Sequence, residues 1–403
     1  MSKKRTWISD ALWLLACLGL LTATALYVAG RTGTDFFAHG PFDSYTRQAL
    51  AWRDGRMMLD GEYPWLELAI FEGEYYVSFP PVPSVPMWVL SFFFGLETPD
   101  ALMCLLYWLG GAAAAFFLAR RYLPAAHAAG LAAFAALAGS LLDLAVSDAQ
   151  TAGGVWYQAQ LLAFLLTMLA FCLCTGRRRA GWAAGLVCIA LAVGCRPLNA
   201  LYVPLLLWIL YTHVRADSLW RSVRAMLPYV AAPLAIAFAY GAYNYARFGN
   251  PFEFGHSFLP EYTESGDAVL ALSNVWNNFL NILRPPQVVD GALTFPTLCG
   301  FAFYLTNPLV VLSPVRAAER ALRRRGDAID GMLAATLLLH ALLLLTHRTF
   351  GGWQYGTRYL SDMVPALVFL WARGGDRTRP WEAFLMGALS AFSLYGTIVF
   401  HFL

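Results

Sequence analysis

Charge is what this 403-residue sequence has least of: Asp, Glu, Lys and Arg make up 13% of it, against 59% hydrophobic residues. A soluble globular chain carries about 25% charged residues, so this one excludes a water-exposed enzyme, a disordered scaffold and a disulfide-stapled secreted module. It is an integral membrane protein. Lysine is almost missing, with 2 residues against 26 arginines. The seven cysteines, at 17, 104, 172, 174, 188, 195 and 299, sit nearly all inside apolar runs. No CxxC or Cys/His spacing is present, which argues against a disulfide framework and a zinc-type metal site. Nor is there an internal repeat or a charged residue at most helix midpoints, the usual marks of an ion-coupled carrier.

What the sequence has instead is long apolar runs. The first, Ala11 to Gly30, follows Lys3, Lys4 and Arg5 and is long enough to cross a ~30 Å hydrocarbon layer, so it reads as an uncleaved signal anchor. Further runs follow at 101–119, 125–142, 155–175, 180–195, 198–214, 227–246, 295–315, 329–346, 359–372 and 381–403, giving about eleven transmembrane helices in an all-α polytopic fold. The 85–96 segment is too short to span and reads as re-entrant or interfacial.

Charge supports that choice. With 85–96 outside the count, Lys and Arg divide 19 to the cytoplasm and 9 to the exterior; with it inside, the division is 8 to 20. The positive-inside rule selects the first arrangement, with a cytoplasmic N-terminus in a bacterial plasma (inner) membrane. The outer face then carries 18 of the 25 carboxylates and becomes the working surface.

Residues 1–403 read as a single integral membrane domain with two long external loops, 31–100 and 247–294. In the first, FDSYTRQALAWRDG predicts a short amphipathic helix with Tyr45, Ala49 and Trp52 on one face and Gly55 closing it. LAIFEGEYYVSF predicts a β-hairpin about Glu72-Gly73, and PPVPSVP an extended return to the bilayer.

The large first loop opening with an Asp and a Tyr, then GEYYVSFPPVPS, GGVWYQAQ, GCRPLN, YNYARFGNPFEFG and GGWQYGTRYLSDMVP in that order, resembles the GT-C superfamily of polytopic glycosyltransferases. Within it, the protein O-mannosyltransferase and aminoarabinose-transferase group is the nearest in pattern. The resemblance implies a GT-C-like fold and transfer of a sugar from a polyprenyl-phosphate donor to a lipid, glycan or protein acceptor at the outer face. Membrane lipids would be its other partners, and nucleic acid would not. It implies no certain cofactor, with a divalent cation, Mg or Mn, open and its ligands unknown. A transporter or flippase of lipid-linked sugar, or a non-catalytic assembly partner of the same fold, stands as the alternative.

An inverting displacement needs a base for the acceptor hydroxyl and positive charge for the departing phosphate. Asp43 matches the first-loop acid of the family and is the candidate base; the competing role is an N-cap. Some members carry two adjacent acids there, whereas this chain has Asp43-Ser44. Asp35 and His39 lie nearby. Arg358, in GTRYL, and Arg196, in GCRPLN, are the candidates for the donor phosphate, since a guanidinium forks onto two oxygens. Either could instead hold a lipid headgroup or a helix C-terminus. Asp362 is placed to orient Arg358 by an i,i+4 pair. Tyr45, Glu74, Tyr76, Asp148 and His256 are candidates for the substrate pocket, against packing, capping or solvated roles.

Overall fold

Apolar runs become helices wherever proline and glycine leave the backbone free to coil, and the two large loops fold back over one end of the resulting bundle. A computed structural model describes residues 7–266, 268–375 and 377–402. In chain order, α1 is Trp7–Thr32, α2 Ser44–Arg53, β1 Leu68–Phe71, β2 Glu74–Val77, α3 Ser84–Phe94, α4 Asp100–Ala119, α5 Ala125–Leu137, α6 Ser140–Val146, α7 Val155–Cys174 and α8 Arg179–Val193. After a 3-10 stretch over Pro197–Tyr202 come α9 Val203–Val214, α10 Leu219–Phe248, α11 Pro260–Ser265, α12 Asn274–Leu283, β3 Gln287–Val289, β4 Ala292–Thr294, α13 Phe303–Thr306, α14 Leu309–Leu322 and α15 Ala328–Leu345. A second 3-10 stretch, Arg358–Met363, leads into α16 Val364–Arg373, and α17 is Pro380–Phe400.

Among the described residues, seven helical segments are long and apolar enough to cross a membrane, or eight if the bent pair α5 and α6 is one span. The count of about eleven is not confirmed by this measure. α8, with 15 residues, falls short of spanning length, and α3, the segment left out of the count, has 11. The 295–315 run is not one helix at all. Pro296, Gly300 and Pro308 interrupt it, Cys299 and Ala302 have positive φ, and a continuous helix begins only at Leu309. Phe295 and Phe301 pack instead beneath Tyr355 and Phe400.

α7 is the axis of the bundle and its most buried span. It lies against α4 where Gly111 leaves room: a Cβ there would meet the Phe164 ring at 2.2 Å. Small residues at such crossings let membrane helices pack closely without a hydrophobic driving force. Between α5 and α6 the axis turns by 68°. Gly139 makes the break at φ 145, facing the Thr306 carbonyl, where a Cβ would stand 2.4 Å from it.

The helix and hairpin of the first loop lie where the sequence puts them, but PPVPSVP is not extended. Residues 81–83 form a turn with Pro83 in the αR region and α3 already starts at Ser84, Pro86 being tolerated in a helix's first turn where no N–H partner is needed. Tyr45 and Ala49 bury one face of α2 against Leu59, Leu68, Val77 and Val155. β1 and β2 pair antiparallel with Phe71 opposite Glu74, around Glu72 and Gly73, both of positive φ. The hairpin's Tyr76 then meets Phe248 at the end of α10 edge-on, 5.3 Å between centroids. That contact fixes the first loop to the start of the second, whose 247–294 segment contains α11, α12 and a short antiparallel hairpin of β3 and β4.

Candidate active site

Asp43 directly precedes α2, yet its side chain caps nothing. One oxygen instead accepts a hydrogen bond from Arg47 Nε at 2.8 Å, and the other lies 3.0 Å from His39 Nε2. The opposite ring nitrogen of His39 is 3.4 Å from Asp100 Oδ2. Asp100 opens α4, and its other oxygen accepts from Thr46 Oγ1 at 2.9 Å and Gln158 Nε2 at 2.8 Å. His39 thus bridges two carboxylates, each only 1% exposed. The bonds to Asp100 and Asp43, opposed by burial, push its pKa up to about 10, so the ring is an imidazolium at neutral pH. Arg47 also sits over the Tyr63 ring, 4.0 Å from its centroid.

A second cluster gathers the two candidate arginines around one tyrosine. Arg196 lies 4.7 Å above the Tyr359 ring and Arg358 lies 5.1 Å from it. They differ in their partners. Arg196 Nε binds Asp362 Oδ2 at 2.9 Å. Asp362 therefore orients Arg196 across the bundle, not Arg358 along its own turn, because the Arg358–Met363 stretch is a 3-10 helix that does not give the i,i+4 spacing.

Arg358, 7% exposed, is held by neutral acceptors: the Gly351 carbonyl from Nη2 at 2.8 Å and from Nε at 3.1 Å, and Gln160 Oε1 from Nη1 at 3.0 Å. Among the described residues no carboxylate lies within ion-pair distance of it. Glu67, which accepts from Trp156 Nε1 at 3.1 Å, lies within reach of its field.

Histidines complete this side. His256 is edge-on to Phe79 and within 6.1 Å of His347, whose ring meets Tyr359 at 5.1 Å. Burial, reinforced by Arg196, lowers His256 to about 4; burial, then His256 and both arginines, lowers His347 to about 3. Both rings are neutral hydrogen-bonding groups at physiological pH. Among the described residues no group of three or more His, Cys, Asp or Glu side chains is placed to hold a metal ion.

The N-terminal turns of α7 join the two clusters. Gln158 binds Asp100, and two residues on, on the other face, Gln160 both accepts from Arg358 and donates to its carbonyl oxygen at 2.9 Å. The sequence GGVWYQAQ therefore supplies a linking strut. Of the remaining candidates, Tyr45 is fully buried in the first-loop core and Tyr76 is packed on Phe248, while Glu74 is exposed near the hairpin tip.

Asp148 does not cap α7, whose N-cap is Gly154. It accepts from the Gln150 and Thr151 backbone and lies 2.9 Å from His401 Nδ1, and these bonds outweigh burial to hold it below the usual carboxylate range. Asp100, Gln158, Gln160, His347 and Tyr359, which the sequence left unassigned, hold the two clusters together. Their separation along the chain hides them; only the i,i+4 spacing of His39 and Asp43 was open to direct inspection.

A bundle of apolar spans with an elaborated first loop clasped to its central helix defines the class: the chain has the GT-C type of polytopic membrane fold. It is similar to the aminoarabinose transferase ArnT from Cupriavidus metallidurans bound to undecaprenyl phosphate, with 17% identity and a TM-score of 0.53 over 91% of this chain and 61% of that one. It is also similar to the oligosaccharyltransferase AglB from Archaeoglobus fulgidus in complex with an inhibitory peptide and a dolichol-phosphate, with 14% identity and a TM-score of 0.56 over 98% of this chain and 56% of that one. The chain thus spans about three fifths of the length of these proteins. No family model and no curated protein matches it.

Proposed function

We propose that this protein is a glycosyltransferase that moves a sugar from a polyprenyl-phosphate donor to an acceptor hydroxyl at the outer face of the membrane. The observation that carries the reading is Arg358: a buried guanidinium without a carboxylate partner among the described residues, beside Arg196, across the start of α7 from a buried carboxylate pair. A buried cation is costly unless paired, and a phosphate is the anion that two forked guanidiniums suit best. The solved relatives in complex with undecaprenyl phosphate and dolichol-phosphate support a carrier of that chemistry.

In the proposed step the acceptor oxygen attacks the anomeric carbon while its proton passes to Asp43. The bond from that carbon to the carrier oxygen breaks on the opposite side, and the electron pair leaves with the carrier phosphate. Arg358 and Arg196 offset the charge that develops there. Phosphate is a good enough leaving group to need no acid. Arg47 and His39 hold the two Asp43 oxygens in place, and His39 in turn is braced by Asp100. Configuration inverts because one displacement occurs. Purified protein incubated with a panel of labelled polyprenyl-phosphate sugars should release free polyprenyl phosphate from at least one of them; release from none would reject the reading.

A further inference from the structure

At the helix ends opposite the candidate active site, the chain collects its arginines. α14 starts beside the Asn307–Thr357 contact and α16 starts directly after the Arg358–Met363 turn, so Arg316 to Arg325 and Arg373 to Arg379 lie at the far side of the bundle. Together with the turn after α4 they surround a cavity of about 900 Å³ lined, among the described residues, by eight arginines and one acid, Glu319.

Four of these arginines are fixed by carboxylates. Arg316 Nε binds Glu382 at 2.7 Å, Arg320 Nε and Arg373 Nε each lie 2.7 Å from Asp330, and Arg379 pairs with Glu319. The other four, Arg121, Arg323, Arg325 and Arg377, are exposed and have no carboxylate within ion-pair distance among the described residues. Arg121 Nη1 donates to Thr175 Oγ1 at 2.5 Å.

The positive-inside tendency accounts for arginine at this end of the bundle, but not for this arrangement. A wall of neutralised ion pairs holds four further cations around one concavity, and guanidiniums match phosphate oxygens in pairs. The cavity sits at the ends of apolar helices. Leu322, 84% exposed, is next in sequence to the lining Arg323, and Tyr122 lines the cavity. An exposed apolar side chain beside arginines at helix ends suits headgroup depth, and basic pockets between helix ends on the cytoplasmic side suit lipid headgroups with more than one phosphate.

We propose that this arginine cavity is a binding site for an anionic phospholipid headgroup bearing two phosphates. The site is independent of sugar transfer and lies at the opposite end of the same helices.

The test uses the whole purified protein in a neutral detergent, with cardiolipin as the diphosphate lipid, phosphatidylcholine as its zwitterionic control and pyrophosphate as the soluble control. Cardiolipin should raise the thermal midpoint where phosphatidylcholine does not, and the effect should weaken between 50 and 500 mM NaCl, as expected for ~10 Å screening at 0.1 M. Combined Arg323→Gln, Arg325→Gln and Arg377→Gln should lower the apparent cardiolipin affinity at least about tenfold, a loss of order one decade for several lost charge-assisted contacts. The control Arg31→Gln, at the other membrane face, should leave it unchanged.

The triple variant alters only exposed side chains, so an unchanged midpoint in phosphatidylcholine shows that it is folded. Should it fail to fold, the lipid comparison and salt dependence in the wild-type protein decide the matter. Equal response to cardiolipin and phosphatidylcholine, or full cardiolipin affinity in the folded triple variant, would overturn the proposal. Pyrophosphate matching cardiolipin in potency would overturn the lipid as the occupant.

Discussion

His39 shows how a side chain's surroundings decide its chemistry. Its neighbours Asp43 and Asp100 hold it protonated. A group whose pKa is raised on folding lends stability in full below its unfolded pKa, near 6.5, and loses it as pH climbs through the folded value, about 10. Thermal stability should therefore decline between pH 6.5 and 10 in the wild-type protein and decline less in His39→Gln; equal slopes in the two would detach His39 from the carboxylates. Arg358 carries the second test at this scale. Arg358→Lys keeps the charge but loses the fork onto Gly351 and Gln160. Binding of polyprenyl phosphate should weaken by about 1 to 3 kcal/mol, roughly 5- to 150-fold, the range for charged hydrogen bonds. Undiminished affinity in a folded Lys variant would make Arg358 a packing residue. Asp43, Arg196 and Arg358 stand out in the sequence as candidates because they are charged residues at helix ends in an apolar chain. The partner of Arg196 does not, because Asp362 is 166 residues away and only the fold brings them together.

Elements were legible in proportion to how local their causes are. The first-loop hairpin follows from alternation about Glu72-Gly73, and α2 from its amphipathic face, so both lie where the sequence puts them. The 295–315 run misled because apolar composition alone says nothing of continuity; Pro296, Gly300 and Pro308 needed to be weighed against it. The break at Gly139 is a tertiary feature of the same kind. Its φ of 145 favours glycine, and a Cβ would collide with the Thr306 carbonyl. Gly139→Ala should destabilise the protein by about 1 to 3 kcal/mol, the cost of a strained backbone position, seen as a lower thermal midpoint. A midpoint equal to wild type would mean that α5 and α6 can straighten. The far end of α17 depends on this same corner, because His401 Nε2 reaches Asp143 at 2.7 Å on α6.

For the whole molecule, the charge asymmetry makes a directional claim: both loops of the candidate site face outward and the arginine cavity faces inward. In a background without native cysteines, Glu72→Cys at the exposed hairpin tip should react with an impermeant thiol reagent added outside intact cells, and Arg178→Cys should not. External labelling of position 178 would reverse the topology and place the site on the cytoplasmic face. The general architecture was readable because membrane burial imposes runs and charge bias on the sequence itself. The gathering of residues 39, 43, 100 and 158 in one cluster and of 160, 196, 358 and 359 in another was not, because it depends on how α4, α7 and the two loops pack.

Release of polyprenyl phosphate by the wild-type protein and by Asp43→Asn, measured side by side on the same labelled donor, tests the central claim most directly. The Asn side chain can still accept from Arg47 but cannot take a proton, and since Asp43 does not cap α2, that helix end is untouched. The expected result is turnover by the wild-type protein and a fall of order 10² or more in the variant, the usual worth of a positioned base. Equal release by the two folded proteins, or no release by the wild-type protein from any donor, would contradict the account.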